Sequence, residues 1–235
     1  MQRYFLDEHQ NIKKDDIHHI TTVMRMTSGD SIEVCTIDGT CFLASINIEC
    51  SGVSFEIKEP LSNEKSTHHV ILFQGIGKGE KNEFVIKYAT QFGVDEIIFV
   101  QMKRSIAKMD QADFLKKKER YDKIALESAR LAHRSDVPRL SYINHLKQIN
   151  PIFNHAFVAF ENDRKTTFLE KIESLKPTDC IALLIGPEGG IDDSEMALLK
   201  DKGFVSVGLG KRILQTEVAC LYGLALIDGI LERKR

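Results

Sequence analysis

The chain has 235 residues, a formal net charge of -2, 43% hydrophobic and 28% charged residues, which is the composition of a folded globular protein rather than a disordered one. Its apolar runs are broken by charge well short of the ~18 residues a membrane-spanning helix needs, and the opening MQRYFLDEHQ lacks the basic-then-apolar order of a secretion signal. Five cysteines (Cys35, Cys41, Cys50, Cys180, Cys220) with no Cys-x-x-Cys pair argue against a disulfide framework or structural zinc and for a reducing cytoplasm.

Residues 1 to about 65 read as β-rich. A short helix is expected over Asp15 to Met26, with Ile17, Ile20, Val23 and Met24 on one side. Ser31 to Ile37 alternates apolar and polar residues, Asp38-Gly39 is a hairpin turn signal, and Cys41 to Ile48 alternates again. Val53 to Ile57 is a further strand, and the set implies a small barrel. Pro60 to Thr67 (PLSNEKST) is polar and turn-rich and reads as a linker. The His18-His19 and His68-His69 pairs have no cysteines at ligand spacing, so no metal is expected.

From Val70 onward strands and helices alternate. Strands are expected at Val70 to Phe73, Glu96 to Val100, Ala156 to Phe160, Cys180 to Ile185 and Phe204 to Val207. Between and after them fall helices at Lys81 to Phe92, Gln111 to Arg134, Thr167 to Leu175, Asp193 to Lys202 and Thr216 to Leu231. Such alternation implies an α/β domain with a mostly parallel sheet covered by helices. The last helix has almost no polar side before Asp228, so it is either central in the fold or shared with a second subunit.

Charge is unevenly spread. Residues 1 to 65 carry 6 Lys+Arg and 11 Asp+Glu, whereas eleven Lys and Arg fall between Lys103 and Arg139. That stripe either neutralises phosphates or forms a solvated helix face. Gly75-Ile76-Gly77-Lys78-Gly79 fits neither the nucleotide-binding P-loop nor the dinucleotide fingerprint. It reads as a tight turn before a helix, with Lys78 placed to touch a phosphate.

Two glycine-rich turns carry the chemistry. Cys180 to Ile185 runs into Gly186-Pro187-Glu188-Gly189-Gly190, and Phe204 to Val207 runs into Gly208-Leu209-Gly210-Lys211-Arg212-Ile213-Leu214-Gln215-Thr216-Glu217. Glycine lets backbone approach a ligand closely, and in open α/β sheets the binding crevice lies beyond the carboxyl ends of the strands. Either turn alone could be only a connection; together they form opposite walls of one pocket.

The pair GPEGG and LGKRILQTEVA resembles the RsmE family of small-subunit ribosomal RNA methyltransferases within the SPOUT superfamily. Arg3-Tyr4-Phe5, His18-His19-Ile20, Val23-Met24-Arg25, Lys78-Gly79-Glu80-Lys81, Gly93-Val94-Asp95-Glu96-Ile97, Lys103-Arg104-Ser105, Glu127-Ser128-Ala129, Arg134 and Val137-Pro138 agree in order along nearly the whole chain. The resemblance implies a PUA-like RNA-binding β-barrel over residues 1–66. Over residues 67–235 it implies a SPOUT methyltransferase domain, its end threaded as a trefoil knot and carrying the dimer interface. It also implies a homodimer that transfers a methyl group from S-adenosylmethionine to N3 of a uridine in 16S rRNA of the small ribosomal subunit.

The cofactor would lie against Phe160, Gly186, Pro187, Glu188, Gly189, Gly190, Leu209, Gly210, Ile213, Leu214 and Gln215. Glu217, Glu188 and Arg212 are the implied catalytic residues, with either carboxylate taking the N3 proton; Glu217 could instead be a purely structural helix cap. Arg3, Arg25, Lys78, Arg104, Arg134 and Arg212 would hold RNA. Three departures stand out: Gln215 where the family usually has Arg, Val218 for Thr, and Leu131 for Gln. They leave open a non-catalytic ribosome assembly or RNA-binding factor that kept the fold.

Overall fold

The computed structural model describes residues 1–50, 52–62, 67–163 and 166–234. They gather into two compact units, one of Met1–Lys65 with Ala129–Val137 and one of Ser66–Ser128 with Pro138–Arg235. The expected division at residue 66 follows the chain linearly and did not include the second visit to the first unit. Residues 63–66, within the expected linker of Pro60 to Thr67 and at that boundary, lie outside the described residues.

In the first unit β1 (Arg3–Phe5), β2 (Ser31–Cys35), β3 (Cys41–Glu49) and β4 (Gly52–Pro60) pair in that order. β1 runs parallel to β2, and the other pairs are antiparallel. The alternation read from the sequence becomes an inward face: Ile32, Val34, Ala44 and Ile46 join Tyr4, Leu6, Ile12 and Ile20 in one core. Gly39, at φ 85°, turns β2 into β3. Cys35 and Cys41 face one another across that ladder with Cα atoms 4.1 Å apart, and a disulfide joins them. A disulfide was not expected; the pairing register places the two side chains together, which spacing along the chain did not reveal.

The expected helix over Asp15 to Met26 is only partly α-helical. α1 (Lys14–His18) passes into a π-helical turn at His19–Val23, and Arg25 ends it at φ 52°. The β-branched run Thr21-Thr22-Val23 weakens regular helix at that point. The returning segment 129–137 is fixed by charge. Arg130 donates to both oxygens of Asp16 at 2.6 Å, and its guanidinium lies 5.5 Å from the Tyr4 ring centroid.

The second unit is a six-stranded parallel sheet in the order β10-β8-β9-β5-β6-β7. Its strands are β5 (His69–Gly75), β6 (Glu96–Val100), β7 (Arg139–Ile143), β8 (His155–Ala159), β9 (Cys180–Ile185) and β10 (Val205–Val207). The helices are α2 (Lys81–Gln91), α3 (Gln111–Leu131), α4 (Phe168–Ile172), α5 (Asp193–Asp201) and α6 (Thr216–Glu232). β7 was absent from the sequence reading; it is a short edge strand whose signal is the two-residue alternation of buried Leu140 and Tyr142. The central strand β9, CIALLI, is buried almost throughout, as a strand covered on both faces must be. Among the described residues no helix is long and apolar enough to cross a membrane.

α6 packs against α2, α4 and β9. It buries Ala219, Cys220, Gly223, Leu224, Ile227, Ile230 and Leu231, while Val218 and Tyr222 stay about 40% exposed. Gly223 permits the approach to the sheet, since a Cβ there would stand 2.7 Å from Leu183 Cδ2. The strand order matters most for function. It sets the carboxyl ends of β10, β8, β9 and β5 side by side, and the turns leaving them meet.

Candidate active site

Those turns enclose a cleft of about 940 Å³, lined by residues 159–163, 166–167, 185–191 and 208–216 with Lys81 and Ala219. Every residue expected to hold the cofactor lies on it: Phe160, Gly186, Pro187, Glu188, Gly189, Gly190, Leu209, Gly210, Ile213, Leu214 and Gln215. Ile213 is 87% exposed, an aliphatic side chain held out at the cleft instead of packed into the core.

The glycines are there for closeness. A Cβ on Gly189 would meet the Arg104 carbonyl oxygen at 2.5 Å, and one on Gly186 would meet Ile191 Cγ1 at 2.6 Å. A Cβ on Gly208 would strike the Asp163 carbonyl. Gly210 differs: it sits at φ 102° with open space where a Cβ would be.

Beneath the cleft two chains of polar contacts join the turn after β9 to the start of α6. Gln74, at the end of β5, donates from Nε2 to Thr216 Oγ1 at 2.9 Å, and Thr216 Oγ1 donates to the Gly186 carbonyl at 2.6 Å. Lys81, in the first turn of α2, places Nζ 3.3 Å from Glu188 Oε1 and 3.2 Å from Glu217 Oε2. The Lys78 backbone amide also donates to Glu188 Oε1 at 3.0 Å. Burial pushes the Glu188 carboxyl up, but the Lys78 amide and the Lys81 ammonium outweigh it and leave it below the usual carboxylate range. Burial likewise works against the Lys81 charge, and its two carboxylate partners reverse the effect and raise it.

Of the three expected catalytic residues, Glu188 and Arg212 line the cleft. Glu217 does not line the cleft, and Glu188 is held by an ammonium and an amide. Those contacts reach Glu188 Oε1 only; its Oε2 is buried with no hydrogen-bond donor among the described residues. Arg212, the third expected catalytic residue, lies exposed on the cleft lining. Gln215 lines the cleft too, and Val218 is part-exposed one turn into α6.

The residues expected to grip RNA divide into two kinds. Arg25, Lys78, Arg104 and Arg212 are exposed, with Arg104 Nη2 3.6 Å from Asp192. Arg3 is 5% exposed, and its guanidinium is taken by Glu33 Oε2 at 2.7 Å and by the His133 carbonyl. Arg134 is largely buried and bound to Asp136 at 2.9 Å. These two arginines hold the first unit together, so the expectation that they face RNA does not fit their positions. His19 Nδ1 meets the Tyr4 hydroxyl at 2.9 Å. Among the described residues no group of three His, Cys, Asp or Glu could hold a metal ion.

Sequence reasoning missed Lys81 and Gln74. Lys81 belongs to the Lys78-Gly79-Glu80-Lys81 motif but was read as the start of a helix, and Gln74 sits inside an apolar strand. A polar residue in an otherwise apolar run, immediately before a glycine turn, was the available signal.

Residues 63–228 match the RNA methyltransferase domain and residues 12–49 the RNA methyltransferase PUA domain. The chain is 33% identical to ribosomal RNA small subunit methyltransferase E of Bacillus subtilis, over 97% of this chain and 96% of that protein. A crystal structure of a hypothetical protein superposes with a TM-score of 0.88 at 33% identity, covering all of both chains. A putative methyltransferase of Legionella pneumophila, solved in complex with its bound cofactor SAM, superposes with a TM-score of 0.83 at 25% identity over 97% of each. With so much of its length aligned and its strand ends gathered around one glycine-walled cleft, the chain belongs to the family of RNA methyltransferases that contains ribosomal RNA small subunit methyltransferase E.

Proposed function

We propose that this protein transfers a methyl group from S-adenosylmethionine to N3 of a uridine in 16S rRNA of the small ribosomal subunit, acting in the cytoplasm as a homodimer. The observation that carries this reading is the single cleft formed by glycine turns from neighbouring strand ends, in a chain that aligns end to end with a small-subunit ribosomal RNA methyltransferase. In the same proposal, the first unit grips RNA and the second holds the cofactor. The trefoil threading of the chain end belongs to this reading as well.

The cleft's chemistry fits the cofactor. Backbone N–H and C=O groups of the Gly186 to Gly190 turn can read an adenine edge, Leu209, Ile213 and Leu214 offer an apolar wall, and Gly210 leaves room for close approach. S-adenosylmethionine supplies an electrophilic methyl carbon on a sulfonium. The task left to the protein is alignment, because a direct displacement needs the attacking nitrogen close and in line. N3 lies on the Watson–Crick edge, so the base must be unpaired or turned out of its stack. Exposed Lys78, Arg104 and Arg212, all in the second unit, suit the flanking phosphates. Glu188 and Glu217 act here as charge-bearing supports of the cleft, and the N3 proton leaves to solvent water as the nitrogen takes the methyl group and the sulfonium becomes a neutral thioether.

Titration calorimetry with S-adenosylmethionine, followed by mass spectrometry of nucleosides from rRNA of a deletion strain, tests the reading. Saturable cofactor binding and loss of N3-methyluridine are expected. Absence of binding, or an unchanged nucleoside profile, rejects it. Because Gln215 replaces the usual arginine, Gln215→Arg is assayed alongside. Methylation by the variant alone would favour the non-catalytic assembly factor.

A further inference from the structure

We infer that Lys81 is a positioning residue for the reaction, a single ammonium that sets the spacing between the turn after β9 and the start of α6 by holding Glu188 in the one and Glu217 in the other. The inference rests on the cofactor reading above and names a residue that the reading does not use.

The two contacts of Lys81 end on elements that are far apart in sequence. Glu188 is in the turn after β9, and Glu217 is in the first turn of α6. A neutral tether runs beside this ionic one and joins the same two elements, through Gln74, Thr216 and the Gly186 carbonyl. Residues 186 and 188 are thus coupled to 216 and 217 twice. Both tethers have one anchor at the carboxyl end of β5 or in the helix that follows it.

The buried acceptors show why a cation is needed. Gln74 Oε1, Glu188 Oε2 and Glu217 Oε2 are all shielded from solvent, with no hydrogen-bond donor among the described residues. The last of them lies within ion-pair reach of Lys81 but outside hydrogen-bonding alignment. Two carboxylates against one ammonium leave a net charge of about -1 in a partly desolvated place. Among the described residues, Lys81 is the one charged side chain that meets both carboxylates; Lys78 contributes its backbone amide, and the neighbouring Glu83 on α2 is closed in a pair with Arg120. Without the ammonium, two carboxylates in a desolvated place either repel and push the two elements apart, or one of them takes up a proton.

The test compares wild type, Lys81→Met, Lys81→Arg and the double variant Lys81→Met/Glu217→Gln. S-adenosylmethionine affinity is measured from about pH 5.5 to 8.5, and amide hydrogen exchange of the cofactor-free proteins is followed at residues 186–191 and 216–219. Near pH 8 Lys81→Met is expected to bind about 10- to 100-fold more weakly, the loss typical of a broken buried charge contact. Its affinity recovers as pH falls and one carboxylate protonates, while the wild-type affinity is much less sensitive to pH. Lys81→Arg stays within a few-fold of wild type, and the double variant regains most of the loss at neutral pH. Exchange at both segments speeds up together in Lys81→Met.

Wild-type affinity in Lys81→Met, or a loss that neither low pH nor Glu217→Gln repairs, overturns the inference. If Lys81→Met does not fold, the double variant, relieved of one carboxylate, carries the comparison with wild type. If wild type binds no cofactor, the function proposed above fails, and exchange alone decides whether Lys81 couples the two elements.

Discussion

Gly189 shows how much of this site is decided by single atoms. Its missing Cβ would lie 2.5 Å from the Arg104 carbonyl oxygen, and backbone on the far side cannot swing away as a flexible side chain can. Gly189→Ala is therefore expected to destabilise by about 1–3 kcal/mol, the usual range for forced overpacking, and to weaken cofactor binding, because the turn must shift. Thermal melting and calorimetry on the same preparation check both effects. The Arg130–Asp16 pair makes the opposite case, a long-range contact that no local pattern announces. Asp16 is almost fully buried and accepts from Arg130 through both oxygens. Arg130→Met removes the partner and strands a buried charge, with an expected cost of about 3–5 kcal/mol, seen as a lowered denaturant midpoint with an unchanged slope.

These residues also show what was legible. The glycine turns could be read because conformational need and chemical identity coincide at glycine. The eleven positions expected to hold the cofactor line the cleft, in turns whose place at strand ends follows from hydrophobic patterning. Arg3 and Arg134 were misread because an arginine in a motif looks the same whether it awaits a phosphate or closes an internal ion pair. Lys81 was passed over for the same reason: its partners lie 107 and 136 residues further on, at positions 188 and 217, and only the fold brings them together.

At the scale of elements, the strongly periodic segments were readable and the short ones were not. α2, α5 and α6 fall within a residue or two of their expected limits. β1, three residues long, and the edge strand β7, five residues long, offer too few periods to register. The start of α5 explains its sharp boundary. Asp192 accepts from the Ser194 amide, and Glu195 returns a bond to the Asp192 amide, closing a capping box. The Ser194 hydroxyl and amide, followed by Lys103, draw the Asp192 carboxyl down to about 2. A depressed carboxyl contributes its stability above the ordinary value of about 4 and loses it as pH falls toward the folded value. Wild type should therefore lose stability across that acid window more steeply than Asp192→Asn, whose cap does not ionise. Acid titrations followed by circular dichroism compare the two; identical slopes would remove Asp192 from the account.

For the molecule as a whole the open question is what covers α6. Seven of its apolar or small residues, from Ala219 to Leu231, are inside the second unit, and the sequence had offered either a central helix or one shared with a second subunit. The packing meets the first description on one side and leaves the other unfinished. Val218 and Tyr222, four residues apart and so on one face, remain about 40% exposed. α2 packs beside α6 and adds Phe84, 39% exposed, with its ring centroid 4.5 Å from that of Tyr88. Part-exposed aromatic and aliphatic side chains on two packed helices are of the kind buried at subunit interfaces, and a homodimer formed through them would be a twofold contact. Tyr222→Glu places a charge on that face without touching the cleft lining, so the variant should elute as a monomer by light scattering while keeping its fold. If the face serves the homodimer of the proposed function, methyl transfer falls with dimerisation; a variant that stays dimeric would place the interface elsewhere.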